Sequence, residues 1–466
     1  MDIIVKSRTR LILLFSIIGL FIGVAVAVQP MYATLGVLAC LGVVIFLKLP
    51  IRITLFIMAA IIFIDISPVK LSGSYIRLHQ LLFLAYFVQF VYLLVKNKNL
   101  QLQTPLMWSL FFWFITFFLS IEHLISKHDM TVVLIGQLYM YIFYFVVYHH
   151  AKSLEHNVQL KVISVYIKAT FIVGVLGYLH LALMFAGFAQ NGFDNLGIPR
   201  PSSLLREPDW YGLMCSYMSI FLLVLMVHRD KRIKIRRFNF MFFVFLGGMI
   251  LSAARASWIS FVVGLLVLFL TVNKNAKINV LKYVLILGLT GLIAGLAMII
   301  AMPDHAQVIL NRINPSTSLT TDDGAANSRM ASIEIMKYYI SQHPWTGNGV
   351  GGMNLISQTP EIVSKYIDGE INSGRGNANL ILTSMFDSGL IGTSFLVCFL
   401  ITYIVVMYRG YKNLKDPIIL AFLISFISLI TDFMFNNGIR FGFFWFHLGL
   451  SFAYLKVKKD MDRTNF

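Results

Sequence analysis

The sequence predicts an all-α polytopic membrane protein with about fourteen transmembrane helices and one large extracytoplasmic loop carrying short helices. Three observations predict it. Of 466 residues, 58% are hydrophobic and 13% are charged, and the mean hydropathy is +0.78, more apolar surface than a water-soluble core of this length requires. Apolar runs of about twenty residues, the length that crosses about 30 Å of hydrocarbon, recur from end to end. Basic residues gather in alternate connections, which is the positive-inside pattern.

The runs fall near 11–28, 32–47, 52–68, 80–96, 105–123, 131–149, 163–187, 211–228, 238–252, 256–273, 283–302, 379–408, 418–437 and 441–455. The run at 379–408 is long enough to hold a short re-entrant piece before its span. Between alternate runs lie Lys6, Arg8 and Arg10; Lys48 and Arg52; Lys96 and Lys98; Lys152 and Lys161; the stretch Arg229 to Arg237; Lys274, Lys277 and Lys282; Arg409, Lys412 and Lys415; and Lys456, Lys458 and Lys459. These clusters put both termini in the cytoplasm. They also account for the net charge of +17 without nucleic acid as a partner. The basic start, the first run and Ala25-Val26-Ala27 imitate a secretory signal. That run exceeds a signal core and further spans follow, so an uncleaved first helix is expected. Cys40, Cys215 and Cys398 each fall within a run, with no CxxC pair, and read as packing residues.

With that orientation, two long segments face outward, 188–210 and 303–378. The chain divides into N-terminal helices over 1–199, a core over 200–408 that includes the loop 303–378, and C-terminal helices with a cytoplasmic tail over 409–466. The large loop carries five basic residues (Arg312, Arg329, Lys337, Lys365, Arg375) against seven acidic ones (Asp304, Asp322, Asp323, Glu334, Glu361, Asp368, Glu370), so it is no general anion-binding surface. Within it, Ser328 is placed to cap a helix over 329–342, with Ile333, Met336, Tyr339 and Ile340 on one face and Pro344 beyond its end. The following Gly347-Asn348-Gly349-Val350-Gly351-Gly352 imitates a phosphate-cradling loop. No strand precedes it and no Lys-Ser/Thr follows, so nucleotide binding is rejected. HExxH and GxSxG do not occur, and metal-hydrolase or serine-hydrolase chemistry has no motif to stand on.

The informative residues are arginines on the side opposite the basic clusters: Arg200 and Arg206 in the first outer segment, Arg255 in the turn Leu251-Ser252-Ala253-Ala254-Arg255-Ala256-Ser257-Trp258, and Arg329 in the large loop. Each alone also reads as a snorkelling anchor; together they suggest an anion at the outer surface, such as a lipid phosphate or diphosphate. A cation in the first turn of a helix, where Arg329 is expected, costs roughly 0.3–1 kcal/mol against the macrodipole, a cost that a bound anion would offset. Glu207 and Asp209 place carboxylates beside Arg206. They serve equally as salt-bridge partners and as a base for an accepting hydroxyl. Trp210 and Tyr211 are placed either to stack on a sugar or to join an interfacial aromatic belt. Asn377 and Asn379 are placed to hydrogen-bond sugar or to cap the next helix.

Four stretches in this order resemble the O-antigen ligase and Wzy-type polysaccharide polymerase family. They are Arg200-Pro-Ser-Ser-Leu-Leu-Arg-Glu-Pro208, Ser252 to Trp258, Asn327-Ser-Arg329 through His343-Pro-Trp-Thr-Gly347-Asn-Gly349, and Asn379 through Asp387-Ser-Gly389-Leu-Ile-Gly392-Thr393. The resemblance covers about 200–395 and implies a membrane glycosyltransferase drawing on an undecaprenyl-diphosphate-linked oligosaccharide, with no nucleotide sugar, cofactor or catalytic metal. It implies that Arg255 and one arginine of 200–206 hold the diphosphate as a leaving group, with Arg329 helping from a loop that closes over the carrier. Ligases of the family carry a histidine directly before the asparagine that matches Asn379, where this chain has Ala378. That departure favours polymerase over ligase. The catalytic set expected is therefore Glu207, Arg255 and Arg329, and the substrate-binding set is Arg200, Arg206, Trp210, Asn377 and Asn379, with a chain-length regulator as a possible partner. The rival class is a flippase for the same lipid-linked units, which would use ionisable residues at mid-membrane; Asp65 and Asp432 are the main acidic residues within the predicted spans.

Overall fold

The computed structural model describes residues 49–65, 69–71, 74–96, 103–123, 127–189, 198–301, 324–352 and 379–464, with isolated positions at 125, 303, 306, 307 and 310. The predicted spans at 11–28 and 32–47, Asn377 and most of 303–378 lie outside the described residues. The chain forms two compact units, one of residues 1–54 and 67–100 and one of residues 55–66 and 101–466.

In the first unit an antiparallel hairpin pairs β1 (Val69–Leu71) with β2 (Ser74–Ile76) in the register Val69 to Ile76. An all-α expectation missed it, because three-residue strands are too short to show a period in sequence. Helix α2 (Leu78–Lys96) follows, with Phe83, Tyr86 and Phe90 buried and Gln89 Nε2 donating to the Leu49 carbonyl at 2.6 Å. Helix α1 (Ile51–Ile61) passes from the first unit into the second.

The second unit is a bundle of α3 (Met107–Thr116), which continues as a 3-10 helix over Phe117–His123, α4 (Lys127–Lys152), α5 (His156–Phe185), α6 (Pro208–Val227), α7 (Phe238–Leu251), α8 (Arg255–Thr271), α9 (Lys274–Ala301), α10 (Gly324–Gln342), α11 (Leu380–Leu414), α12 (Pro417–Phe433) and α13 (Gly442–Thr464). Among the described residues five helices, in α4, α5, α6, α9 and α11, are long and apolar enough to cross a membrane. Others are apolar but shorter: α7 has 14 residues, and α8 and α12 have 17 each.

Helix α6 is the centre. Apolar all round, it is buried all round, and α7, α8, α12 and α5 pack against it. Small hydroxyl side chains line its seam with α8 and α12. Ser216 Oγ lies 2.8 Å from Ser260 Oγ and 3.4 Å from Ser428 Oγ, and such small residues let helices approach closely while their hydroxyls stay paired. Deeper, His447 of α13 sits between the Tyr217 hydroxyl (2.7 Å) and the Tyr403 hydroxyl (3.0 Å), which ties α6, α13 and α11 together.

Helix α11 is broken at Gly389, where φ is 64° and ψ is −167°. The break receives the segment after α10. Asn348 N–H donates to the Phe386 carbonyl at 2.7 Å and Leu390 N–H donates to the Pro344 carbonyl at 2.8 Å. A Cβ on Gly389 would lie 2.2 Å from the Trp345 carbonyl oxygen, so only glycine fits both the left-handed backbone and the contact. Two of the resembling stretches, His343–Gly349 and Asn379–Thr393, are thus halves of one interlocked unit. Ile335, Met336 and Ile340 of α10 complete it by packing on Phe386.

Helix α10 starts at Gly324, ahead of the expected cap at Ser328, because Ala325 and Ala326 extend the helix towards its N-terminus. Arg329 therefore lies in the second turn, beyond the reach of the macrodipole cost expected for it.

At the far end of α6 the connection to α7 is clasped. Arg232 pairs with Asp416 through Nη1 at 2.6 Å and Nη2 at 2.9 Å, and with Asp230 at 2.5 Å. Asp416 also caps α12 through the Ile418 N–H at 2.8 Å and accepts from the Tyr454 hydroxyl at 3.2 Å. Burial alone would raise the Asp416 carboxyl, but the hydrogen bonds and charge of Arg232, the Ile418 N–H and Lys458 outweigh it and hold it below the ordinary carboxylate value.

Candidate functional site

Four helices, α6, α8, α11 and α13, begin at one end of the second unit, and the segments that precede them interlock. Pro208 opens α6 at a position that suits proline. Glu207 is its N-cap residue, extended and half-buried, with no side-chain cap to the helix. One turn in, Gly212 lets the α7–α8 turn dock: a Cβ there would lie 2.4 Å from Ser252 Oγ, 2.9 Å from Ser257 Oγ and 3.0 Å from the Ala254 Cβ. That turn passes through Ala253 with φ at 50° and delivers Arg255 as the first residue of α8. The absence of a side chain at Gly212 is what lets the turn that carries Arg255 pack against α6 near its start.

Arg200 stitches the same place from the side. Its Nε donates to the Ser252 carbonyl at 2.7 Å and its Nη2 pairs with Asp209 at 2.5 Å, with the Arg200 side chain 8% exposed. The arginine expected to bind substrate is thus built into the wall, bonded both to the turn that carries Arg255 and to α6. Arg206 is exposed. Trp210 packs edge-on against Phe441 with ring centroids 4.5 Å apart.

A signal missed in the sequence is His180 of α5. Its Nδ1 accepts from the Ser202 N–H at 3.2 Å and the Ser203 N–H at 3.3 Å, and so fixes the 200–206 segment from below. Lone histidines in apolar runs carry no spacing from which such a contact could be read.

The remaining side of the site is the α12–α13 connection, residues 434–441. Asn379 caps α11 by accepting from the Ile381 and Leu382 N–H groups at 2.9 and 3.0 Å, and its Nδ2 donates to the Met434 carbonyl at 2.9 Å. Of the two roles open to Asn379, the cap is present. Asp432, wholly buried in the last turn of α12, accepts from Ser257 Oγ at 3.0 Å and Asn436 Nδ2 at 3.2 Å. Its carboxylate therefore holds the first turn of α8, two residues after Arg255. Asp65 lies beyond the end of α1, and its N–H donates to the Leu204 carbonyl at 3.0 Å. Both acidic residues read as lying within predicted spans thus stand at helix ends beside the site. Asp387, near the α11 break, accepts from the Gly351 N–H and faces Arg440 at 3.9 Å.

Arg329 stands on α10, whose C-terminal half packs on α11. Among the described residues no group of three His, Cys, Asp or Glu is placed to hold a metal ion. The arrangement offers guanidinium groups, the positive ends of four helices and carboxylates in one place. That combination is chemically suited to an anion with a base near it.

No curated protein matches the chain. Residues 240–397 match the family model described as O-antigen ligase, a stretch that runs from α7 through the break in α11 and contains Arg255, Arg329, Asn379 and Asp387. Over that stretch the chain is similar to the O-antigen ligase family, whose members are membrane glycosyltransferase-like enzymes.

Proposed function

We propose that the protein is a polysaccharide polymerase. It moves a glycan from an undecaprenyl-diphosphate carrier onto the non-reducing end of another carrier-linked repeat unit, at the outer face of the cytoplasmic membrane. In this reading the chain has fourteen spans with both termini cytoplasmic, and the end where α6, α8, α11 and α13 begin faces outward. The docking of the 252–257 turn onto Gly212 carries the reading, because Arg255, within the matched stretch, then starts a helix beside the one whose N-cap is Glu207, which precedes that stretch.

Arg255, with Arg206 and with Arg329 from the large loop, binds the diphosphate; Arg200 and Asp432 keep Arg255 in place. Glu207 takes the proton of the accepting hydroxyl. The hydroxyl oxygen bonds to the anomeric carbon, the bond from that carbon to the phosphate oxygen breaks, and its electron pair leaves on the diphosphate. Positive charge held where negative charge develops is the main catalytic term of such a site. Trp210, Asn377 and Asn379 contribute to the sugar subsite. Two observations bear on polymerase against ligase. The match to an O-antigen ligase family favours ligase; Ala378, where ligases carry histidine, favours polymerase. The placement of Asp65 and Asp432 at helix ends favours a transferase over a flippase, which would use ionisable residues at mid-membrane.

The test is the carrier-linked glycan profile of cells lacking the protein, complemented with wild type or with Arg255→Ala at matched expression. The expected result is long chains with wild type and single lipid-linked units on the outer face with the variant, with chain formation down about 100-fold. Accumulation on the inner face would mean a flippase, and accumulation of long carrier-linked chains would mean a ligase.

A further inference from the structure

Arg440 lies in the short connection between the predicted spans at 418–437 and 441–455, and the α12–α13 connection that carries it touches three residues of the site. Met434 meets Asn379, Asn436 meets Asp432, and Phe441 meets Trp210. The arginine stands between these contacts, on the same connection.

Its charge balance differs from that of the arginines serving structure. Arg232 holds two carboxylates at 2.5 to 2.9 Å, and Arg200 holds Asp209 at 2.5 Å together with a carbonyl at 2.7 Å. Arg440 faces Asp387 at 3.9 Å, a distance that carries Coulomb attraction without a hydrogen bond. Its side chain is 36% exposed and that of Asp387 is 9% exposed. Asp387 is itself held by the Gly351 N–H, so the carboxylate is fixed and the guanidinium is oriented by it. A planar fork of five N–H donors, oriented by charge but bonded at none of them to that carboxylate, suits a phosphate oxyanion.

We propose that Arg440 is a phosphate-binding residue of this site, oriented by Asp387 as a positioning residue. The inference rests on the reading of the site as one for a lipid-linked diphosphate. It adds an arginine outside the stretch matched by the family model, and it makes the interlocked glycine segment at 347–352 part of the phosphate site through Gly351 and Asp387. A phosphate arriving at Arg440 takes over the N–H donors, while Asp387 keeps the Gly351 bond and limits the guanidinium's swing.

The experiment measures binding of undecaprenyl diphosphate to the purified full-length protein in nanodiscs, with undecaprenol as the phosphate-free probe. Wild type, Arg440→Ala, Arg440→Lys, Asp387→Asn and Arg255→Ala are compared, each first shown to melt cooperatively. The expected result for Arg440→Ala is about a tenfold loss of affinity for the diphosphate with undecaprenol binding unchanged. Arg440→Lys recovers only part of the loss, since a point charge cannot fork, and Asp387→Asn falls between wild type and Arg440→Ala. If Arg440→Ala binds the diphosphate within twofold of wild type while Arg255→Ala does not, the proposal is overturned and the parent reading stands. Equal losses for diphosphate and undecaprenol would assign Arg440 to structure and also overturn it. Wild type that fails to bind the diphosphate at all would overturn both. If Arg440→Ala does not fold, Arg440→Lys decides by the same comparison.

Discussion

The two ends of α6 are built on opposite principles. At the Arg232 end an arginine is saturated: Asp230 and Asp416 take its donors, and the same Asp416 caps α12 and receives the Tyr454 hydroxyl. At the Gly212 end Arg200 is bonded to Asp209, but the helices otherwise meet through missing side chains and small hydroxyls, and the Arg440–Asp387 pair is too long for a hydrogen bond. Saturated charge stabilises; charge left oriented but unspent is available to a ligand, and close backbone approach keeps it in position.

That contrast is broken first at the glycine end. Gly389→Val forces a branched side chain into a left-handed backbone and onto the Trp345 carbonyl, at an expected cost of about 3 kcal/mol or more. A fall in the melting midpoint in nanodiscs, with α10 released to proteolysis, would confirm it; an unchanged midpoint would mean that the interlock is not as close as described. Next, Asp416→Asn at the saturated end should cost about 2 kcal/mol, through the lost ion pair with its partly exposed arginine and a weakened cap, and leave undecaprenyl-diphosphate affinity alone. Lost affinity at wild-type stability would reverse the assignment of the two ends.

The same carboxylate sets an acid limit. Its folded value lies below its unfolded one, so its contribution is complete above the ordinary 3.8 and disappears as pH falls through the lowered value. The melting midpoint of wild type should drop more steeply below that pH than that of Asp416→Asn.

Gly212→Ala sharpens the comparison. It should cost about 1 kcal/mol in stability while reducing chain length in cells, since the crowded Ser252 and Ser257 move Arg255 away from α6. Chains of normal length would separate the turn's position from activity.

The smallest effect concerns His343, stacked on His123 with centroids 3.7 Å apart. Burial and the neighbouring imidazole lower its value from 6.5. The stack is therefore at full strength above 6.5 and weakens as pH falls below it. Faster hydrogen exchange at the C-terminal end of α10 below pH 6.5, and not in His123→Ala, would show it.

Helix positions were legible because a bilayer demands long apolar runs, and every described helix from α2 to α9 and from α11 to α13 overlaps one. The break in α11 was half legible, as a run too long for one span, with Gly389 inside a resembling stretch. Arg255 stood out because its turn is short and on the side poor in cations. Arg440 did not stand out, because the span boundaries drawn at 437 and 441 left it no room to be anything but a turn. Asp432 was read as a charge within a span; only tertiary structure shows its partner to be Ser257, 175 positions away in sequence. The role of Gly212 is invisible in one dimension, since a glycine in an apolar helix announces close approach to nothing in particular.

Three of the helices that pack around the site are short. At 1.5 Å per residue, the 14 residues of α7 rise about 21 Å and the 17 residues of α8 and of α12 about 26 Å, against roughly 30 Å of hydrocarbon. A bilayer meets such helices by thinning. Thinning around α7 and α8 would draw the lipid surface down towards the site, and a lipid headgroup would then reach the arginines by following the dip. Host-lipid acyl length then becomes a control on the protein: nanodiscs of shorter-chain lipids should favour carrier binding, and thick ones should oppose it, with every residue of the site unchanged.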